Sequence, residues 1–139
     1  MKGVPVRLEM GPRDIENGQC VLVTRHNYDK ASVSLDGLAD SVKAKLDEVH
    51  DGLYQKALAN REAHTYRCRS MDEIITTLEE KGDGFVHAMW CGDEACEDEV
   101  KAKTGVGSRC IPFEQENISD VCVCCGKPAK HMVCWGKAY

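Results

Sequence analysis

The sequence predicts a mixed α/β (α+β) fold in two parts, a strand–strand–helix unit followed by a small α/β domain held together by a metal. Three observations indicate this. Residues 4–10 alternate apolar and polar side chains, and residues 38–58 place apolar side chains three or four positions apart. These periods are typical of a half-buried strand and an amphipathic helix. Four cysteines of the second half have the spacing of metal ligands. We place the boundary between residues 66 and 67.

The N-terminal part begins with two predicted strands. The alternation over residues 4–10 is broken by Gly-Pro-Arg-Asp at 11–14, and Asn-Gly at 17–18 is a strong turn signal. Residues 19–25 form the second strand and are apolar at nearly every position. Such continuous apolarity indicates a strand covered on both faces.

A long helix follows a polar stretch at residues 27–31. Ser34 or Asp36 is a candidate N-cap, and the apolar stripe ends near residues 62–64. Two strands and one helix do not form a sheet that is stable alone. We therefore expect a missing element beside the first strand, supplied either by a dimer or, as we favour, by sequence upstream of Met1 in a longer protein.

The C-terminal part alternates short helices and strands. Ser70 and Glu73 form a capping-box pattern, and glycines at 82 and 105 stop the two helices. The predicted elements are a helix from 70 to 81, a strand at 85–91, a helix at 94–103, a strand at 108–113, a loop at 114–120 and a strand at 131–139.

Four cysteines predict a structural zinc site because their spacings, C-x4-C and C-x2-C, are typical of zinc ligands. They are Cys91, Cys96, Cys122 and Cys125. Gly126 directly follows the second pair, where a positive φ lets the chain turn tightly under a metal. The first pair spans the start of a predicted helix, whose dipole favours a thiolate. Four thiolates complete a tetrahedral zinc site and leave no position for water, which excludes metal-assisted hydrolysis.

The other five of the nine cysteines are interpreted as thiols without a ligand role. An odd number of cysteines without a signal peptide argues against a disulfide framework. Cys124 could replace Cys125 as a ligand, although the C-x2-C spacing favours Cys125. Cys68 has no partner by spacing, and small buried apolar thiols are expected at Cys20, Cys110 and Cys134. A redox role for Cys122 and Cys125 is a weaker alternative, since thioredoxin-like βαβ context is absent.

Charge is distributed unevenly along the chain. Residues 1–70 carry 11 Lys/Arg against 10 Asp/Glu, whereas residues 71–139 carry 7 against 13. Because phosphate backbones are polyanions, an RNA contact is expected in the first half. Aromatic residues make up 6% of the chain, which argues against a stacking platform for single strands. No apolar stretch approaches the roughly 20 residues of a membrane span. We therefore predict a soluble, cytoplasmic protein that binds neither membrane nor DNA.

Several motifs give the chain a resemblance to a known family. In one register over the whole chain, they resemble the C-terminal portion of prolyl-tRNA synthetase of the archaeal and eukaryotic type. The matching segments are residues 3–14 (GVPVRLEMGPRD), 59–65 (ANREAHT), 90–96 (WCGDEAC), 109–114 (RCIPFE), 125–129 (CGKPA) and 136–139 (GKAY).

The resemblance implies different roles for the two parts of the chain. Residues 1–66 would be the second half of an anticodon-binding α/β domain, and residues 67–139 the zinc-containing C-terminal domain. The catalytic core, with its ATP, Mg²⁺ and proline sites, would lie before Met1. The partners implied are the tRNA(Pro) anticodon and that core. The alternative is a stand-alone zinc-stapled RNA-binding or interaction module without catalytic activity.

The resemblance also implies which residues contact RNA, because this family reads the two guanines of proline anticodons. The matching positions are Glu9, Arg13 and Asp14, with Arg25 and Lys30 as further candidates. An arginine can donate two bonds to guanine O6 and N7, and a carboxylate can accept from the unpaired guanine edge. The alternative for each is a solvated surface charge, or for Asp14 a side chain bonded within its own turn.

Overall fold

The computed structural model of the protein describes residues 3–138. They form two compact units that divide between Ala59 and Asn60, inside one long helix. No helix among the described residues has the length and apolarity needed to cross a membrane.

The first unit is a three-stranded antiparallel sheet in the order β1-β2-β3 with two helices. Its elements are β1 (Val6–Glu9), α1 (Pro12–Glu16), β2 (Gln19–Thr24), β3 (Lys30–Ser34) and the part of α2 (Leu38–Ala63) that precedes residue 60.

Two of these elements differ from the sequence-based expectation. The stretch expected to be a polar connection ends in strand β3, which has polar and small side chains but pairs along its length with β2. The break after β1 contains the five-residue helix α1. Pro12 suits the first helical position, and the Asp14 carboxylate accepts a hydrogen bond from the Gly11 N–H at 2.8 Å. Both elements are too short for a periodic pattern.

The buried part of the first unit is small. Cys20, Leu22 and Thr24 alternate along β2, and all three are at most 2% exposed. In α2, Val49 is buried, but much of the predicted apolar stripe is exposed, including Leu46, Leu53 and Tyr54. Thus most of this stripe contributes little to the core of this unit.

Helix α2 approaches the turn after β2 closely. A Cβ atom at Gly52 would lie 2.4 Å from the His26 ring, so a larger residue would force that ring to move. The Glu48 carboxylate lies 3.9 Å from His26 Nε2. A glycine is therefore needed where the helix passes the ring.

The second unit is a four-stranded mixed sheet in the order β4-β5-β7-β6. Strands β4 and β5 are parallel, and the other neighbours are antiparallel. Its elements are β4 (Thr65–Arg67), α3 (Met71–Lys81), β5 (Phe85–Trp90), α4 (Glu94–Thr104), β6 (Val106–Cys110) and β7 (His131–Lys137).

The helices and β5 lie close to their predicted positions, whereas the other strands differ. The three-residue strand β4 was not predicted, because so few residues carry no periodicity. Strand β6 begins and ends earlier than the predicted 108–113, since it pairs with β7 only as far as Cys110. The predicted last strand ended at Tyr139, which lies outside the described residues.

The second unit has a continuous hydrophobic core. Trp135 is fully buried in a cluster with side chains from α3, α4 and the strands of this sheet, including the half-buried Tyr66 of β4. The other buried members are Cys68, Ile74, Val86, Ala88, Val100, Val106, Val123 and Val133. The Ser70 hydroxyl accepts from the Glu73 N–H at 3.1 Å and caps α3, while the Glu73 carboxylate accepts from Arg69 N–H. The Ser70 cap therefore forms as predicted, whereas the reciprocal bond of the capping box goes to the residue before the cap.

Candidate metal centre and nucleic-acid interface

The four predicted ligand cysteines meet at one place in the second unit. Cys91 directly follows β5, and Cys96 lies in the first turn of α4, whose N-cap Asp93 accepts from the Ala95 N–H at 3.1 Å. Cys122 and Cys125 lie in a tight turn, closed by the Cys122 N–H to Lys127 carbonyl bond at 2.8 Å. The following residue, Gly126, has φ +70°, as predicted for a turn under a metal.

The distances between the sulfur atoms fit a tetrahedral metal. All four ligand atoms lie within 4.8 Å of one another. Cys91 Sγ lies 3.7 Å from Cys96 Sγ and 3.8 Å from Cys125 Sγ. With metal–sulfur bonds of about 2.3 Å, the edge of a zinc–thiolate tetrahedron is about 3.8 Å long. The four cysteines could therefore hold a metal ion.

The ionisation of these thiols supports the same conclusion. Burial raises the pKa of Cys91 and that of Cys96. Burial also acts to raise the pKa of Cys122, but backbone N–H groups of Cys125, Cys124 and Cys91 outweigh it and lower the pKa to about 7. Backbone donors thus favour one thiolate, while the buried neighbours require a cation in order to ionise together.

Trp90 connects this cluster to the core of the unit. Its ring packs against the buried cysteines and against the hydrophobic core, and its indole N–H donates to the Asp93 carbonyl at 3.1 Å. The ring therefore holds the N-terminus of α4 at the end of β5, which fixes the position of Cys96 relative to Cys91.

The remaining cysteines are distributed as predicted, with one exception. Cys20, Cys68 and Cys134 are buried. Cys124 lies outside the group of four, and its thiol donates to the Glu99 carboxylate at 3.4 Å. The prediction that Cys110 is buried is wrong, because β6 is an edge strand and its last residue is exposed.

The first unit brings two of the predicted RNA-contacting residues together. The Lys30 ammonium lies 3.1 Å from the Glu9 carboxylate, which also pairs with the Arg7 guanidinium at 2.5 Å. These bonds from Lys30 and then Arg7 hold the pKa of Glu9 below its usual value. Arg7 is not among the residues predicted from the sequence, although the period-two alternation places it on the same face as Glu9.

Arg13 and Asp14 lie in α1, directly after β1. Asp14 bonds within its own turn, to the Gly11 N–H, as the alternative for this residue predicted. Arg13 is exposed, and within residues 3–138 its guanidinium forms no ion pair or side-chain hydrogen bond. A free guanidinium beside a fixed turn is available to a ligand.

Arg25 lies apart from this group. Arg25 directly follows β2 and lies beside the first residue of β1. Helix α1, by contrast, comes after the last residue of β1. The Arg25 guanidinium donates to the Gly3 carbonyl at 3.1 Å and lines an apolar cleft with Val4, Pro5 and Tyr28. The five predicted residues therefore do not form one cluster.

Comparison with protein families matches both halves of the chain. Residues 71–139 match the family described as "Prolyl-tRNA synthetase, C-terminal", and residues 1–45 match "Anticodon binding domain".

Similar proteins match along nearly all of the chain. A proline–tRNA ligase of Clostridium novyi (strain NT) is 55% identical over 139 residues, and one of Lachnospira eligens is 56% identical. The chain spans 29% of the length of each. The crystal structure of prolyl-tRNA synthetase from Cryptosporidium parvum, complexed with L-proline and AMP, matches with a TM-score of 0.88 at 34% identity. That match covers 99% of this chain and 29% of the other. The chain therefore belongs to the prolyl-tRNA synthetase family, in which it corresponds to the C-terminal part.

Proposed function

We propose that this chain is the segment of a proline–tRNA ligase that contacts the tRNA(Pro) anticodon and carries a structural zinc domain. The relatives named above are proline–tRNA ligases, and they match over the whole chain. This supports the ligase segment over a stand-alone zinc module. ATP, Mg²⁺ and proline would be handled by a catalytic core outside this segment, and that core is its second proposed partner.

The observation that carries the RNA-binding proposal is the environment of Arg13. Its guanidinium is exposed and unpaired among the described residues, at the end of β1 where Glu9 presents a carboxylate. A guanidinium and a carboxylate near the end of one strand offer the donors and acceptors that an unstacked guanine requires. We assign base contact to Arg13 and Glu9. Lys30 and Arg7 would hold the Glu9 carboxylate in position through their ion pairs. Arg25 would contact the RNA away from this point, and Asp14 would fix the turn.

We assign zinc to Cys91, Cys96, Cys122 and Cys125, since thiolate ligands and a tetrahedral arrangement are what zinc prefers. Bound there, zinc would stabilise the folded domain and do no chemistry, because all four positions are filled by protein. The residues around it support that role. Asp93 caps the helix that presents Cys96, and Lys127 bonds back to Cys122 through its carbonyl. The domain boundary between residues 66 and 67 stays a prediction.

The test is replacement of Arg13 by alanine in the full-length ligase. The ratio of kcat/KM for cognate tRNA to that for a tRNA altered at an anticodon guanine is expected to fall about tenfold to a hundredfold, since a bidentate base contact contributes about 1–3 kcal/mol of discrimination. Arg69→Ala is the matched control, because Arg69 is also exposed but lies in the zinc-bearing unit. Unchanged discrimination in the Arg13 variant would contradict the assignment.

A further inference from the structure

One face of the second sheet carries a row of polar side chains across all four strands. The register pairs Arg67 with His87, His87 with Cys134, and Cys134 with Cys110. Directly paired residues of neighbouring strands point to the same face. All four residues line one cleft of about 720 Å³. This is the face opposite Val86 and Trp135, so it belongs neither to the core nor to the cysteine cluster.

Two thiols lie at the edge of this row in a geometry that suits a disulfide. Residues directly opposite in antiparallel strands have Cα atoms roughly 4.5–5.5 Å apart, and disulfides join Cα atoms about 4.4–6.8 Å apart. An irregularity between Ser108 and Cys110 leaves Arg109 as the extra residue, and the pairing then resumes at Cys110 and Cys134.

The two thiols differ in access. Cys110 is exposed at the end of the edge strand β6, whereas Cys134 is 9% exposed in the interior strand β7. Burial first, and then the neighbouring Cys110, raise the pKa of Cys134 to about 11. A dissolved oxidant therefore reaches Cys110 first, while the buried Cys134 remains a neutral thiol. This is the arrangement of an attacked and a resolving cysteine.

We propose that Cys110 and Cys134 form a vicinal dithiol site that a peroxide converts to an intramolecular disulfide. In the first step the Cys110 sulfur attacks a peroxide oxygen, the O–O bond breaks, and a sulfenic acid and water form. In the second step the Cys134 sulfur attacks the Cys110 sulfur, the S–O bond breaks, and a second water leaves with the Cys134 proton. Overall, two thiols are oxidised and one peroxide is reduced to two waters.

The disulfide would tie the last residue of β6 to the middle of β7. After Cys110, the chain is held to the sheet by Gln115. Its side-chain oxygen accepts a hydrogen bond from the Met132 N–H at 2.7 Å. A covalent link next to this bond would fasten the segment 111–115, which carries the fully exposed Phe113. The site is independent of the zinc ligands and of the proposed RNA contacts.

The experiment uses the zinc-loaded full-length protein, treated with limiting hydrogen peroxide, alkylated, digested and analysed by mass spectrometry. The expected product is one cross-linked peptide pair joining Cys110 to Cys134, lighter by two hydrogen atoms than the reduced pair and restored by dithiothreitol. Zinc content is expected to stay unchanged.

Cys110→Ser should abolish the cross-link, and since Cys110 is exposed this variant is expected to fold. Cys20→Ala is the matched control and should keep it, because Cys20 is fully buried in the other unit. Phenylarsine oxide gives an independent readout, as it joins two adjacent thiols with loss of one water; its uptake should be lost in Cys110→Ser. Oxidation of Cys110 to a sulfinic acid without the cross-link, or a cross-link to any other cysteine, would overturn the proposal.

Discussion

The two units of this chain are stabilised in different ways. The second unit packs nine buried residues into one core around Trp135 and adds a cluster of buried cysteines. In the described part of the first unit, the buried residues are Cys20, Leu22, Val23, Thr24 and Val49, and α2 leaves large apolar side chains exposed. The unit with the larger core carries the four cysteines that could hold a metal ion, whereas the unit with the smaller core presents Arg13, which is unpaired among the described residues. The proposed function thus places stability and RNA recognition in different parts of one chain.

The sharpest way to test this comparison is to remove the metal ligands. In the double variant Cys91→Ser with Cys125→Ser, the second unit is expected to lose its fold, because structural thiolate–zinc sites hold roughly 10–16 kcal/mol of apparent folding free energy. Hydrogen exchange measured by mass spectrometry should show loss of protection in residues 60–138 and little change in residues 3–59. Zinc per chain, measured by elemental analysis, should fall to zero.

Cys124→Ser is the control for this experiment, since Cys124 lies outside the group of four. It should keep both the zinc and the protection. A double variant that retained its zinc and its melting curve would show that the four sulfurs are not the ligands.

A smaller effect is expected from deletions of apolar side chains. Ile74 is fully buried, so Ile74→Ala should lower the free energy of unfolding by about 2–5 kcal/mol. Leu53→Ala, in the exposed stripe of α2, should change it by no more than about 0.5 kcal/mol. Denaturant unfolding followed by circular dichroism measures both. Equal losses would mean that the stripe of α2 is covered in the protein, and the contrast between the units would fail.

The smallest effect concerns the pH dependence of the first unit. The pKa of Glu9 is lowered by bonds from Lys30 and Arg7, so its stabilising contribution is present above the unfolded pKa of about 4.3 and is lost as the pH falls through the folded value. Glu9→Gln should therefore flatten the acid limb of the stability curve below about pH 4.3. Because the four cysteines are unchanged in both proteins, the difference between their curves isolates this group. Superimposable curves would show that the ion pairs contribute nothing.

The sequence predicted the local structure correctly where a pattern repeats or where a residue type is typical of one backbone conformation. The capping serine at 70, the glycines at 105 and 126 and the spacing of the four cysteines all predicted the observed local structure. Each of these signals is local, since it involves bonds within a few residues or a single metal.

The elements that were missed depend on neighbours distant in the chain. Strand β3 is polar and forms because β2 supplies its hydrogen bonds, and β4 exists because β5 lies beside it. The exposure of Cys110 follows from the position of β6 at a sheet edge, which the order of elements along the chain does not reveal. The alternation of β1 places Arg7 and Glu9 on one face, but their pairing depends on side-chain conformations that a period-two pattern does not specify.

The placement of the tryptophans has a consequence for spectroscopy. The chain has two tryptophans, Trp90 and Trp135, and both belong to the second unit, one against the cysteine cluster and one in the hydrophobic core. Indole emission from this segment would therefore report on the second unit alone and would not report on the first unit. Because the Trp90 ring packs against the cluster, we expect its emission to change when a metal is bound or removed.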